Sequence, residues 1–220
     1  LCFILGFTGI QAGNNNKVAT KRNCASMPVL EQQLKQNPGL RAKLDAMERD
    51  IQFKINENNL NPQSQRLVIT IPVVVHVVYN TTAQNISDAQ IQSQITALNN
   101  DYRKKAGTSG YNTNPVGADV ELEFCLATKD PSGAATTGIT RTYTSQAGFV
   151  YTSPNVVKQS TYGKAGWDYT KYLNIWTCNM TDNTLGYATF PGTETTYDGV
   201  VIGYDKFGTT GSASYPFNGG

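Results

Sequence analysis

One histidine and four cysteines are the first residues to weigh for chemistry in this chain of 220 residues. A zinc-peptidase centre needs neutral imidazoles on a rigid helix and a carboxylate that takes a proton from bound water. Two histidines four apart would put both ligands on one helix face. The chain has only His76, and no Cys-x-x-Cys pair. Its own residues therefore do not predict a structural or catalytic zinc site. His76 lies in the apolar run Leu67 to Tyr79 and reads as a structural imidazole with a hydrogen-bonded ring nitrogen. No motif for a serine or cysteine nucleophile accompanies it. Cys2 lies in the apolar start of the chain, which leaves Cys24, Cys125 and Cys178. Three is odd and implies no closed disulfide framework. Cys125 and Cys178 are expected as buried thiols, a disulfide being the alternative.

The backbone offers a second kind of chemistry. Three short runs fill the last fifty residues: Tyr172 to Cys178, Leu185 to Pro191, and Asp198 to Tyr204. The first and third are rich in aliphatic and aromatic residues and predict buried strands. The second carries Gly186 and Ala188 and stops at Pro191, which cannot donate to a ladder, so it fits a sheet edge. An open edge can capture an extended peptide as one more strand.

Elements that could position these groups follow in order. Ser26 and Pro28 predict the start of a short helix with Leu30 and Leu34 on one side. Asn37-Pro38-Gly39 interrupts it. Leu40, Leu44, Met47, Ile51 and Ile55 then form one apolar stripe, expected to pack on the following domain. Residues 56–65 read as an exposed linker. Leu67 to Tyr79 is apolar on both faces, as in a central strand of a largely parallel sheet, with full pairing after Pro72. Ser87 to Gln90 is a capping-box pattern before a helix bearing Ile91, Ile95, Leu98 and Tyr102. Val120 to Ala127 is the next strand, closed by the turn Lys129-Asp130-Pro131-Ser132-Gly133. Ala134 to Ser153 shows no clear period.

The blocks YLNIWTCNM, LGYATFPG, DGVVIGYDKFG and PFNGG, in that order, resemble the pappalysin-like (cytophagalysin) zinc metallopeptidases of the metzincin group. The resemblance runs from about Cys24 to the end. It implies an α/β fold: a metzincin-like N-terminal subdomain with a twisted five-stranded, mostly parallel sheet and an antiparallel edge strand, preceded by a small helical pro-segment. In that family a helix bearing H-E-x-x-H-x-x-G-x-x-H/D would follow directly, so this chain is expected to be a fragment that ends before it. Zinc is the implied cofactor of the full-length protein and is not expected in the fragment; calcium is left unassigned. Protein or peptide substrates are implied, held by the edge residues Leu185, Gly186, Tyr187 and Ala188. Cys24 stands where a pro-segment cysteine would occupy a zinc position and keep the enzyme latent. No catalytic residue is assigned within the chain.

The expected organisation is a signal-peptide remnant over 1–12, a helical pro-segment and linker over 13–65 with Arg66 near its processing point, and the incomplete catalytic domain over 66–220. The apolar start is shorter than the roughly 20 residues of a membrane span and fits secretion. A formal net charge of +2, with no Lys/Arg stripe, argues against nucleic acid as a partner. A secreted, non-catalytic peptide-binding protein with the same sheet is the alternative reading.

Overall fold

The computed structural model describes residues 23–60, 67–190, 192 and 195–218; the apolar start, the polar stretch 13–22 and Arg66 lie outside them. Strand β1 (Ile69–Tyr79) is the centre. Val73 to Val78 are all buried, because each face of the strand has its own cover. On one face Val73, Val75 and Val77 meet Ile91 and Ile95 of helix α3 (Asp88–Tyr102), together with Phe124, Ile175 and Phe207. On the other, Val78 joins a cluster with Trp176, Tyr187, Val201, Phe149, Val157 and Val29. Burial on both faces is what an unbroken β-branched run in a parallel sheet provides for. Ser87 caps α3, its side chain accepting from the Gln90 N–H at 3.2 Å. The Gln90 side chain does not complete a capping box; it is directed elsewhere, as described below.

The remaining strands are β2 (Leu122–Leu126), β3 (Ile139–Tyr143), β4 (Leu173–Cys178), β5 (Gly186–Ala188) and β6 (Val200–Gly203). The order is β2-β1-β4-β6-β5, with β3 also paired to β1. All ladders are parallel except β5–β6. The expected five positions and antiparallel edge are therefore present. The sequence reading missed β3. It lies end to end with β2 along one side of β1: β2 takes Ile69 to Val73 and β3 takes Val75 to Tyr79. Pro72 delays pairing only on the other side, where β4 begins at Val73.

The N-terminal helices are α1 (Ser26–Gln36) and α2 (Leu40–Leu60). Three expectations change here. Helix α2 continues through residues 56–60, which read as linker. Its apolar stripe is not packed on the domain: Leu40 is buried and Leu44 half-buried, but Met47, Ile51 and Ile55 are exposed. Beyond its first turn the helix is mostly exposed, with the Met47 sulfur beside Gly192, and pairs such as Lys54–Asp50 along its surface add modest support. Ser26 is the first helical residue and not the cap, since its hydroxyl is engaged by β5.

His76 is wholly buried in β1. Its Nδ1 lies 2.7 Å from Thr140 Oγ1 and its Nε2 3.1 Å from Asn174 Oδ1. Trp167 fixes the Asn174 amide: its N–H donates to Oδ1 at 2.7 Å, and Asn174 Nδ2 donates to its carbonyl at 3.0 Å. Asn174 Oδ1 is thus an acceptor, so Nε2 carries the proton and Nδ1 accepts from Thr140. Burial holds the imidazole pKa down at about 4. A depressed pKa favours the fold above the unfolded value near 6.5 and is lost as pH falls through about 4. The parent should lose about 3 kcal/mol of stability between pH 7 and 4 from this group. A His76→Asn variant should lack that component. Urea unfolding of both across this window checks it, and parallel pH profiles would refute it.

Candidate functional site

Strand β5 has two sides. On one, Gly186, Tyr187 and Ala188 pair with Ile202, Val201 and Val200 of β6. On the other lie residues 23–26 of the same chain. Leu185 N–H donates to Asn23 O at 2.9 Å, Ala25 N–H to Gly186 O at 3.0 Å, and Ala188 N–H to Ser26 Oγ at 2.9 Å. Cys24 and Gly186 form a parallel bridge. So Leu185, Gly186 and Ala188 hold residues 23–26 of the same chain, bridged at Cys24 and turning into α1 from Ala25, at φ −100° and ψ 10°. Tyr187 anchors the strand from below: it is buried, and its hydroxyl donates to Pro154 O at 2.7 Å. Burial raises its phenol well above the ordinary range.

Beside the edge runs an apolar groove of about 230 Å³, lined by Cys24, Gln94, Val200, Ile202 and Phe217 among others. Cys24 is an exposed free thiol 3.4 Å from Ser26 Oγ. The other two thiols among the described residues are also free. Cys178 is buried, and desolvation pushes its pKa far up, so it stays protonated. Cys125 is exposed, against expectation: Phe124 takes the α3 side of β2, and its neighbour faces outward. They sit on β2 and β4, which flank β1 on opposite sides, so they cannot pair.

Two anchors escaped the sequence reading because each is a lone polar residue in an unremarkable context. Lys158 is 2% exposed. Its Nζ donates to Thr189 Oγ1 at 2.8 Å and Tyr197 O at 2.7 Å, and lies 5.3 Å from the Trp176 ring and 5.6 Å from that of Tyr187. It ties the β5–β6 connection to the sheet. Gln90, also 2% exposed, donates from Nε2 to Tyr204 O, Phe207 O and Ser212 Oγ, while its Oε1 accepts from Ser212 N–H. The loop after β6 winds around that amide. Gly211, at φ +70°, leaves room for it: a Cβ there would lie 2.2 Å from Gln90 Oε1.

Among the described residues no three His, Cys, Asp or Glu side chains come together to hold a metal. His76 has both ring nitrogens engaged. The described residues therefore do not fit a zinc ion. None of the described helices is long and apolar enough to cross a membrane.

The tightest point of the edge is Gly186, where a Cβ would stand 2.4 Å from Val201 O. Gly186→Val should cost about 1–3 kcal/mol through forced displacement of β5. It should also speed hydrogen exchange at the Ala25 and Leu185 amides. Urea titration and exchange measurements check this; a variant as stable and protected as the parent would contradict it.

No family model and no curated protein matches the chain. Solved structures do. Mature mirolysin of Tannerella forsythia in complex with a cleaved peptide is 46% identical, with a TM-score of 0.64, over 70% of this chain and 59% of that one. Mirolysin in complex with a small compound is 47% identical, with the same TM-score and coverage. A promirolysin mutant from Tannerella forsythia is 39% identical, with a TM-score of 0.69, over 90% of this chain and 64% of that one. The chain thus spans between 59% and 64% of these three chains. With this identity, and with the mostly parallel sheet and antiparallel edge described above, the chain belongs to the pappalysin family of metzincin metallopeptidases.

Proposed function

We propose that the chain is the N-terminal part of a secreted zinc metalloendopeptidase proenzyme, in which residues 13–65 are a latency segment and 66–220 the first part of the catalytic domain. The observation that carries this reading is the pairing of residues 23–26 with β5, which brings Cys24 to the edge of the groove. Coverage supports the boundary. The proenzyme match takes in 90% of this chain and the mature matches 70%. That difference of 20% is about 44 of 220 residues.

In this reading Leu185, Gly186 and Ala188 hold substrate backbone in an extended form once residues 23–26 leave. Gly186 lets that backbone come close, and Tyr187 keeps the strand fixed from beneath. The zinc ion is held by residues outside this chain, on a following helix of the H-E-x-x-H type; when bound it supplies an activated water for attack on a peptide carbonyl. Cys24 keeps the enzyme latent by offering a thiolate to that metal before activation. The apolar start of the chain fits export. The edge already holds residues 23–26 through hydrogen bonds at Leu185, Gly186 and Ala188, so a secreted peptide-binding protein is the second reading.

The test is to express the coding sequence past Gly220 to its natural end. We expect one zinc per chain, and proteolysis that the 220-residue polypeptide alone lacks. An extension without an imidazole pair, or zinc-dependent proteolysis by the 220 residues alone, would overturn the assignment. In that full-length proenzyme, Cys24→Ser should show activity earlier or process itself faster; unchanged latency would remove Cys24 from the mechanism.

A further inference from the structure

A second cavity opens at the head of β5. Its volume is about 470 Å³, and it is lined by Asn183, Thr184, Leu185, Asp205, Lys206 and Phe217 among others. Both of its rims are tied to the sheet. On one side is the loop from β4 to β5. Asp182 shapes it, its carboxylate accepting from the Tyr151 N–H at 2.8 Å and the Thr184 N–H at 3.1 Å. Asn183 is left-handed there, at φ +60°, which a short polar side chain tolerates. On the other side is the turn after β6. Lys206 N–H donates to Gly203 O at 2.8 Å, and Gly203 N–H to Leu185 O at 2.9 Å. Lys206 Nζ donates to Asp205 Oδ2 at 2.7 Å and lies 5.3 Å from the Phe217 ring. Thr184 is 3% exposed, and its Oγ1 is buried with no hydrogen-bond partner among the described residues. An unpaired buried hydroxyl is costly, and each one calls for a reason.

We propose that this cavity is a side-chain subsite of the peptide edge. It selects a carboxamide, asparagine or glutamine, in the substrate residue whose carbonyl accepts from the Leu185 N–H. This rests on the reading of β5 as the substrate edge and names one of its preferences. The place follows from continuity, since Leu185 belongs both to the edge and to the cavity wall. Side chains of an added strand alternate between faces, so one residue in two can enter. The class follows from the polar groups. Lys206 has donors beyond the one given to Asp205, Asp205 is an acceptor, and the Thr184 hydroxyl is both. An acidic side chain would meet Asp205, and a basic one would meet Lys206. An aliphatic one would leave the Thr184 hydroxyl unpaired. A neutral group with donor and acceptor meets all three without a like charge. A hydroxyl brings one donor; a carboxamide brings two and a carbonyl, and satisfies more of them. Asn23, whose carbonyl accepts from the Leu185 N–H at 2.9 Å, is a carboxamide that lines this cavity.

The experiment uses the activated full-length enzyme and peptides varied one position at a time around the scissile bond. At one position the parent should prefer asparagine or glutamine over alanine by roughly three- to tenfold in kcat/KM, the yield of one net hydrogen bond. Thr184→Val should erase most of that preference. Its thermal stability should stay at or above the parent's, because the hydroxyl has no partner in the fold. Removing one charge should redirect the choice. Lys206→Met leaves Asp205 and should favour lysine or arginine at the same position. Asp205→Asn leaves Lys206 and should favour aspartate or glutamate, each by roughly tenfold. A flat profile at every position would overturn the inference and leave the peptidase reading standing; so would one profile shared by the parent and all three variants. A Thr184→Val enzyme that keeps the preference but melts earlier would assign the hydroxyl to the fold and overturn it too. Failure of the parent to cleave any peptide would instead sink the peptidase reading, and this subsite with it.

Discussion

A three-residue strand at the end of a sheet presents donors and acceptors that its one partner cannot meet. In β5 and its approach these are the Leu185 N–H, the Gly186 carbonyl and the Ala188 N–H. Backbone groups removed from water without partners cost about 1–3 kcal/mol each, so this edge is held by water or by an added chain. Here residues 23–26 fill that role. Anything else that would lie along the edge needs the same three groups. Occupancy of the edge is therefore exclusive as a matter of hydrogen bonding, before any thiol or metal is considered.

The edge can play that part only if it does not move. Its rigidity descends from β1 through β4 and β6, each strand paired to the next. Trp176 of β4 is buried beneath it, with its Nε1 donating to Lys164 O at 2.7 Å. Lys158 pins the connection that leaves β5, and Gln90 pins the one that leaves β6. His76 serves the same end from within β1. Kept neutral by burial, it joins Thr140 of β3 to Asn174 of β4 across the strand. The chain's one imidazole is a brace between strands.

The parts legible in the sequence were those with one dominant signal. The β-branched run of β1, the serine cap of α3, and the small residues and proline that put β5 at an edge each left little room for another reading. Strand β3 was hidden because Ile139 to Tyr143 carries threonines and an arginine and pairs with only half of β1. The stripe on α2 has a helical period, but a period shows which face is apolar and not whether anything covers it. Cys125 shows the same limit in a strand, where one position decides whether a side chain points at α3 or outward. The edge residues could be found from composition; the identity of what lies on them could not. Ser26 shows why, since its hydroxyl looks like a helix cap until Ala188, 162 positions away, is seen to use it.

The N-terminal segment straddles the sheet. Successive β6 residues point to opposite faces, so Val201 meets the cluster under α1 while Ile202 packs with the cluster beside α3. Helix α1 buries Val29 on the first side, and Cys24 lines the groove on the second. The strand residues cross between them over the edge itself. A segment attached on one face could peel away as its ladder bonds broke singly. One gripping both faces cannot shift along the edge without lifting Val29 from its floor, nor tilt on that floor without breaking the bonds from Leu185 and Ala25. Edge and floor must be released together, and that coupling makes the segment behave as a single closure.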